Sequence, residues 1–152
     1  MRVYLFRGLF GAIFSTGMDE LAKKAKAAGH QVSVHPWIAR KSVQRKAIKM
    51  YKAGKLRKGI AIGGHSLGGN SASYMTFNLM KAGVPVNVQA TWDATEPMKV
   101  PSGVKAINFM SHDLRAEKVP GSIERDYTHL NHIQVDKDDS THRTFLDAIK
   151  WR

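Results

Sequence analysis

The chain has 152 residues, 43% of them hydrophobic and 24% charged. That is one domain's worth of sequence, able to bury roughly 68–70% of its unfolded surface, and it excludes wholesale disorder. There is no cysteine, which excludes a disulfide framework, a thiolate nucleophile and any Cys-ligated metal. The formal net charge is +12, and it is unevenly spread. Between Lys23 and Trp92 there is no Asp or Glu, and nine Lys and Arg fall between Arg40 and Lys58. A surface of this kind attracts nucleic acid, an anionic membrane or an acidic polymer. No segment approaches the ~20 apolar residues of a membrane span. The N-terminus has no signal-peptide pattern, so a cytoplasmic product is expected.

In chain order, Val3–Phe6 reads as a buried strand and the glycine-punctuated stretch to Gly17 as a loop. Met18 to Ala28 reads as a helix, with Asp19 and Glu20 in its first turn and Gly29 after its end. Val32–Val34 gives a second strand. A helix follows from a Ser42 cap to Lys52, with Val43, Ala47, Met50 and Tyr51 on one face and the basic residues on the other. Ile60–Gly63 is a third strand, Leu67–Lys81 a helix, Val86–Trp92 a fourth strand and Val104–Met110 a fifth. Asp139–Trp151 reads as a terminal helix with Phe145, Leu146, Ile149 and Trp151 on its apolar side. Apolar strands alternating with helices predict one three-layer α/β/α domain over residues 1–152, doubly wound on a mainly parallel sheet of order 2-1-3-4-5.

The strongest chemical signal is Gly64-His65-Ser66-Leu67-Gly68-Gly69, between a strand and a helix. This is Gly-x-Ser-x-Gly in the strand–turn–helix setting of a nucleophile elbow. Gly64 and Gly68 flank the serine because a Cβ would crowd the crossing of strand and helix. A phosphate-binding P-loop would need Gly-Lys-Ser/Thr, which is missing. A dinucleotide fingerprint would need Gly-x-Gly-x-x-Gly and an acid about 20 residues on, and neither is present. The Leu67 N–H is the first candidate oxyanion donor, and Gly8 or Leu9 on the loop after the first strand offers the second. Arg7 either binds an anion there or braces the loop.

A serine of this kind needs a base and an acid, expected in the chain order Ser, Asp, His. Asp93 ends the fourth strand and is favoured over Asp113. His132, in the last loop, is favoured over His129, while His142 falls inside the terminal helix and takes a surface or packing role. His65 is expected to pack behind the elbow. Asp136 and Asp139 are expected to fix the loop or cap the last helix. His129, His132 and Asp136 are the one set with the residue types of a zinc site, but there is no His-Glu-x-x-His. No metal and no cofactor is expected.

On the elbow, on Thr91-Trp92-Asp93 and on the late Asn131-His132 before a helix, the chain resembles the α/β-hydrolase superfamily. It is similar to the small lipase- and thioesterase-like proteins of bacteria and their phages. The resemblance implies a serine hydrolase acting on an ester or thioester, with an acyl or lipid substrate among the choices. It departs in size: the antiparallel front strands are missing and no insertion is long enough for a large lid, which implies an open, shallow pocket. A different reading is a non-catalytic protein that uses the basic stretch Arg40–Lys58 on the same scaffold to hold an anionic polymer or membrane.

Overall fold

The structure, a computed structural model, describes residues 1–150. Six strands form one sheet: β1 (Arg2–Arg7), β2 (Gln31–Pro36), β3 (Ile60–His65), β4 (Val88–Trp92), β5 (Lys105–Met110) and β6 (Ile123–Asp126). They lie in the order β2-β1-β3-β4-β5-β6, and every neighbouring pair is parallel. The five expected strands and their order are present. The sixth, β6, was not anticipated. It is a four-residue edge strand whose Ile-Glu-Arg-Asp is mostly exposed, so no hydrophobic period marks it.

The helices are α1 (Gly11–Phe14), α2 (Thr16–Ala27), α3 (Arg40–Lys52), α4 (Leu67–Lys81) and α5 (Asp139–Ala148). The sheet is covered on both faces, which explains the nearly continuous apolar strands. Alternate residues of β1 separate the two cores. Val3 and Leu5 pack with Met18, Leu21 and Ala25 of α2 and with Phe145 of α5. Tyr4 and Phe6 pack with Val43 and Ala47 of α3 and with Ala72, Met75 and Leu79 of α4. Trp92 is fully buried, stacks on Phe109 with ring centroids 5.0 Å apart, and donates its Nε1–H to Thr141 Oγ1 at 2.9 Å.

Several boundaries differ from expectation. The loop after β1 contains the single turn α1. The third helix begins at Arg40, fed by a 3-10 turn over Trp37–Ala39, and Ser42 lies inside its first turn, donating to the Ala39 carbonyl at 2.9 Å. The terminal helix is capped by Asp138, whose carboxylate accepts from the Ser140 and Thr141 N–H groups. It ends at Ala148, and Trp151 lies outside the described residues. Of the two roles expected for His142, packing is the one seen: it is completely buried, its Nε2 2.6 Å from the Asp136 carbonyl oxygen. Among the described residues, no helix is long and apolar enough to cross a membrane.

Because all six strands run the same way, their carboxyl ends share one edge. Gly8, Ser66, Asp93 and Ser111 are each the first residue beyond β1, β3, β4 and β5 respectively.

Candidate active site

Ser66 stands between β3 and α4 with φ 60° and ψ −123°, a conformation rare for a non-glycine residue. Tight packing imposes it. A Cβ on Gly64 would overlap the Gly68 carbonyl, and one on Gly68 would overlap the Phe6 carbonyl of β1. The Ser66 N–H is held by the Trp92 carbonyl at 2.9 Å, and its own carbonyl accepts from the Gly69 and Asn70 N–H groups. The hydroxyl is thereby turned out above the sheet edge.

His132 Nε2 lies 2.9 Å from Ser66 Oγ, and its Nδ1 lies 2.9 Å from Asp93 Oδ2. The His132 loop is shaped locally. Asn131 Oδ1 accepts from the Ile133 and Gln134 N–H groups at 3.0 Å each, an Asx-turn that presents the imidazole. Asp93 is fully buried and also adopts positive φ, 51°. Its Oδ1 accepts the Ser111 N–H at 2.7 Å, and its Oδ2 accepts the Ser111 hydroxyl. Ser111 was not picked out from the sequence. Its only signal was its place directly after a strand on the carboxyl edge.

Neither alternative joins this hydrogen-bonded path, although Asp113 lines the same cleft as Ser66. Asp113 is gripped by Arg115 Nε at 3.0 Å and Nη2 at 2.9 Å, which holds its carboxyl well below the usual range. His129 is exposed and faces Tyr127. Arg7 braces its loop through Asp19, with Nη2 2.6 Å from Oδ1. Among the described residues, no three His, Cys, Asp or Glu side chains cluster as a metal site.

The candidate oxyanion donors divide. The Gly8 N–H donates to Ser15 Oγ at 3.0 Å, so it is occupied and cannot also face a substrate. This corrects the expectation for Gly8 as a donor. Its contribution is space: a Cβ there would stand 3.0 Å from Ser66 Cβ and 3.4 Å from the Leu67 nitrogen. The N–H groups of Leu9 and Leu67 make no hydrogen bond among the described residues. The pocket over Ser66 is an open cleft of about 440 Å³ lined by Leu9, Phe10, Phe14, His132 and Ile133. The large hydrophobics Leu9, Phe10, Ile13, Phe14 and Ile133 are all exposed.

Beneath the site lie His65 and Asp136, both fully buried. Burial, helped by the neighbouring His132, lowers the His65 pKa to about 4. Burial raises that of Asp136 to about 7. Their pH effects oppose each other. A lowered His pKa gives stability that is present above the unfolded value of 6.5 and lost as pH falls toward 4. A raised Asp pKa gives stability that is present below 3.8 and lost as pH rises through 7. Between these limits the slopes offset. Asp136→Asn removes one of them. Its unfolding free energy should therefore rise more than that of wild type from pH 4 to pH 6.5, by about 2–3 kcal/mol. Urea unfolding across that pH range measures the difference, and equal slopes in the two proteins would refute it.

No protein-family model matches the chain, and no curated protein matches it in sequence. Its fold is similar to several solved structures. One is an alpha/beta-superfamily hydrolase candidate from Xanthomonas campestris pv. campestris, with TM-score 0.60 and 14% identity over 96% of both chains. Another is a Pyrobaculum calidifontis esterase, with TM-score 0.65 and 15% identity over 98% of this chain and 75% of that one. A third is human thioesterase 2, with TM-score 0.66 and 12% identity over 97% of this chain and 95% of that one. With its parallel sheet covered on both faces and a serine on the turn between β3 and α4, the chain has the α/β-hydrolase fold.

Proposed function

We propose that this protein is a serine hydrolase that cleaves an ester or thioester through an acyl-enzyme. The observation that carries the reading is the continuous path from Ser66 Oγ to His132 Nε2, then from Nδ1 to buried Asp93, each step 2.9 Å. His132 takes the hydroxyl proton as Ser66 Oγ attacks the carbonyl carbon. Asp93, fixed by Ser111, keeps Nδ1 protonated and favours the imidazolium. The Leu67 and Leu9 N–H groups meet the oxyanion. As the intermediate collapses, His132 passes the proton to the leaving alcohol or thiol. It then deprotonates a water that attacks the acyl-enzyme, and Ser66 recovers its proton as the acid departs. The names of the esterase and thioesterase neighbours support the choice of bond. Leu9, Phe10, Phe14 and Ile133 offer contacts for an apolar acyl group, and Asp113 and Arg115 line the same cleft.

A fluorophosphonate probe tests this reading directly. Wild type should be labelled on Ser66, with Ser66→Ala unlabelled. A folded wild type that resists the probe, and hydrolyses neither p-nitrophenyl butyrate nor a butyryl thioester, would end it.

The basic stretch carries a second, separable reading. Arg45, Lys46, Lys49 and Lys52 are all exposed on the outer side of α3, while Val43 and Ala47 face the core. We read this face as a docking surface for an anionic lipid layer. Each basic side chain near such a surface contributes about 1 kcal/mol. Replacing all four with Gln should weaken binding to phosphatidylserine vesicles about a hundredfold or more at low salt. Hydrolysis of a small soluble ester should not change. Binding that is insensitive to salt or to the substitutions would reduce the stretch to a solvated helix face.

A further inference from the structure

The loop that offers Leu9 and the loop that carries His132 are tied together behind the elbow, and the tie is one side chain. His65 Nε2 lies 2.7 Å from the His132 carbonyl oxygen. A carbonyl can only accept, so Nε2 carries the proton and Nδ1 is bare. Nδ1 lies 2.7 Å from Ser15 Oγ, which must then donate to it. Ser15 Oγ in turn accepts the Gly8 N–H at 3.0 Å. Every donor in the chain Gly8 N–H, Ser15 O–H, His65 Nε2–H has one acceptor, and the direction is fixed from end to end. The groups are buried: Ser15 is 1% exposed and His65 0%. A low pKa keeps His65 neutral at physiological pH, the only state with a bare Nδ1. The imidazole also packs on the His132 ring, with centroids 4.7 Å apart.

We infer that His65 is a positioning residue that holds the oxyanion loop, through Ser15 and Gly8, and the base loop, through the His132 carbonyl, in one fixed relation. This rests on the hydrolase reading above. His65 is fully buried and acts through the two loops it holds. It uses up the Gly8 N–H, so the loop presents Leu9 instead, and it anchors the backbone from which the His132 ring reaches Ser66. A misplacement of 1 Å in such a constellation costs about a hundredfold in rate.

Three variants and two readouts test this. His65→Leu removes both bonds, His65→Gln retains a donor at the Nε2 position, and Ser15→Ala cuts only the oxyanion arm. On p-nitrophenyl butyrate, kcat should fall about 100-fold in His65→Leu and about tenfold in Ser15→Ala. KM should stay within about threefold. His65→Gln should recover most of the loss. The double variant His65→Leu/Ser15→Ala should be no worse than His65→Leu, because both sever the same path. The second readout is amide hydrogen exchange at Gly8 by NMR, which should accelerate in Ser15→Ala and in His65→Leu. Wild-type kcat in Ser15→Ala with unchanged Gly8 exchange overturns the inference. So does a lowered Tm without a lowered kcat, which is what a purely structural histidine would give. If His65→Leu fails to fold, the other two variants still decide. Faster Gly8 exchange in a protein whose wild type hydrolyses nothing would sink the hydrolase reading and leave the coupling standing. Turnover with neither effect would sink the coupling alone.

Discussion

Ser66→Ala and His132→Ala are each expected to lower kcat by about 10⁴–10⁶, to nearly the same residual rate, with little change in Tm. On the proposed mechanism, Ser66 Oγ and His132 Nε2, 2.9 Å apart, act as one unit. An attacking hydroxyl without a base is as inert as a base without a hydroxyl. The double variant should therefore match either single one. The residual rate belongs to the Leu67 and Leu9 N–H groups and to substrate binding. Asp93→Asn should cost about 10³–10⁴. It exchanges an acceptor for a donor against His132 Nδ1 and also disturbs the Ser111 N–H and hydroxyl that both donate to Asp93. Ser111→Ala keeps the N–H bond and loses only the hydroxyl, so a loss of about tenfold is expected. Steady-state kinetics on one activated ester measures all four. Independent, multiplicative losses for Ser66 and His132 would contradict a shared unit.

The second large effect is on stability. Gly68→Ala should destabilise the fold by about 3 kcal/mol or more and lower Tm by roughly 6–12 °C, since a domain of this size shifts about 2–4 °C per kcal/mol. The new Cβ would overlap the Phe6 carbonyl, and two backbones cannot move apart by changing a rotamer. To make room, α4 would have to lift from β1, the contact that holds the elbow against the oxyanion loop. Activity should therefore fall even well below Tm. Gly83→Ala is the control. Gly83 has positive φ, 80°, and nothing within 4 Å of an added Cβ. Only the conformational cost remains there, about 1 kcal/mol, with full activity. Thermal unfolding of the two variants separates close approach from backbone strain. Equal losses would refute the overlap, since Gly68 lies within α4 without positive φ.

Features with local causes could be read from the linear chain alone. A strand buried on both faces shows as a short apolar run whatever its neighbours, so β1, β3, β4 and β5 were legible, while the half-exposed edge strand β2 showed through Val32 and Val34. The elbow was legible because one tight turn needs small residues at fixed spacing, Gly64 and Gly68 around Ser66. The His132 turn was half legible, since Asn131 sets its Asx-turn two and three residues on.

Tertiary structure decided whatever depends on distant partners. Asp93 directly follows β4, which favoured it over Asp113, three residues beyond β5. What separates them is Arg115, which claims Asp113, and Ser111, which turns Asp93 toward His132. Gly8 and Leu9 are adjacent, and only Ser15, poised by His65 from another strand, takes the first N–H and leaves the second free. The strand β6 needed the β5 edge to pair with, because its exposed residues carry no pattern of their own. His142 lies on a helix with polar neighbours, and it is buried because the Asp136 carbonyl descends onto it. Hydrophobic period and turn chemistry act over a few residues and survive in the linear chain. Hydrogen-bond competition is settled between groups that only the folded sheet edge brings together.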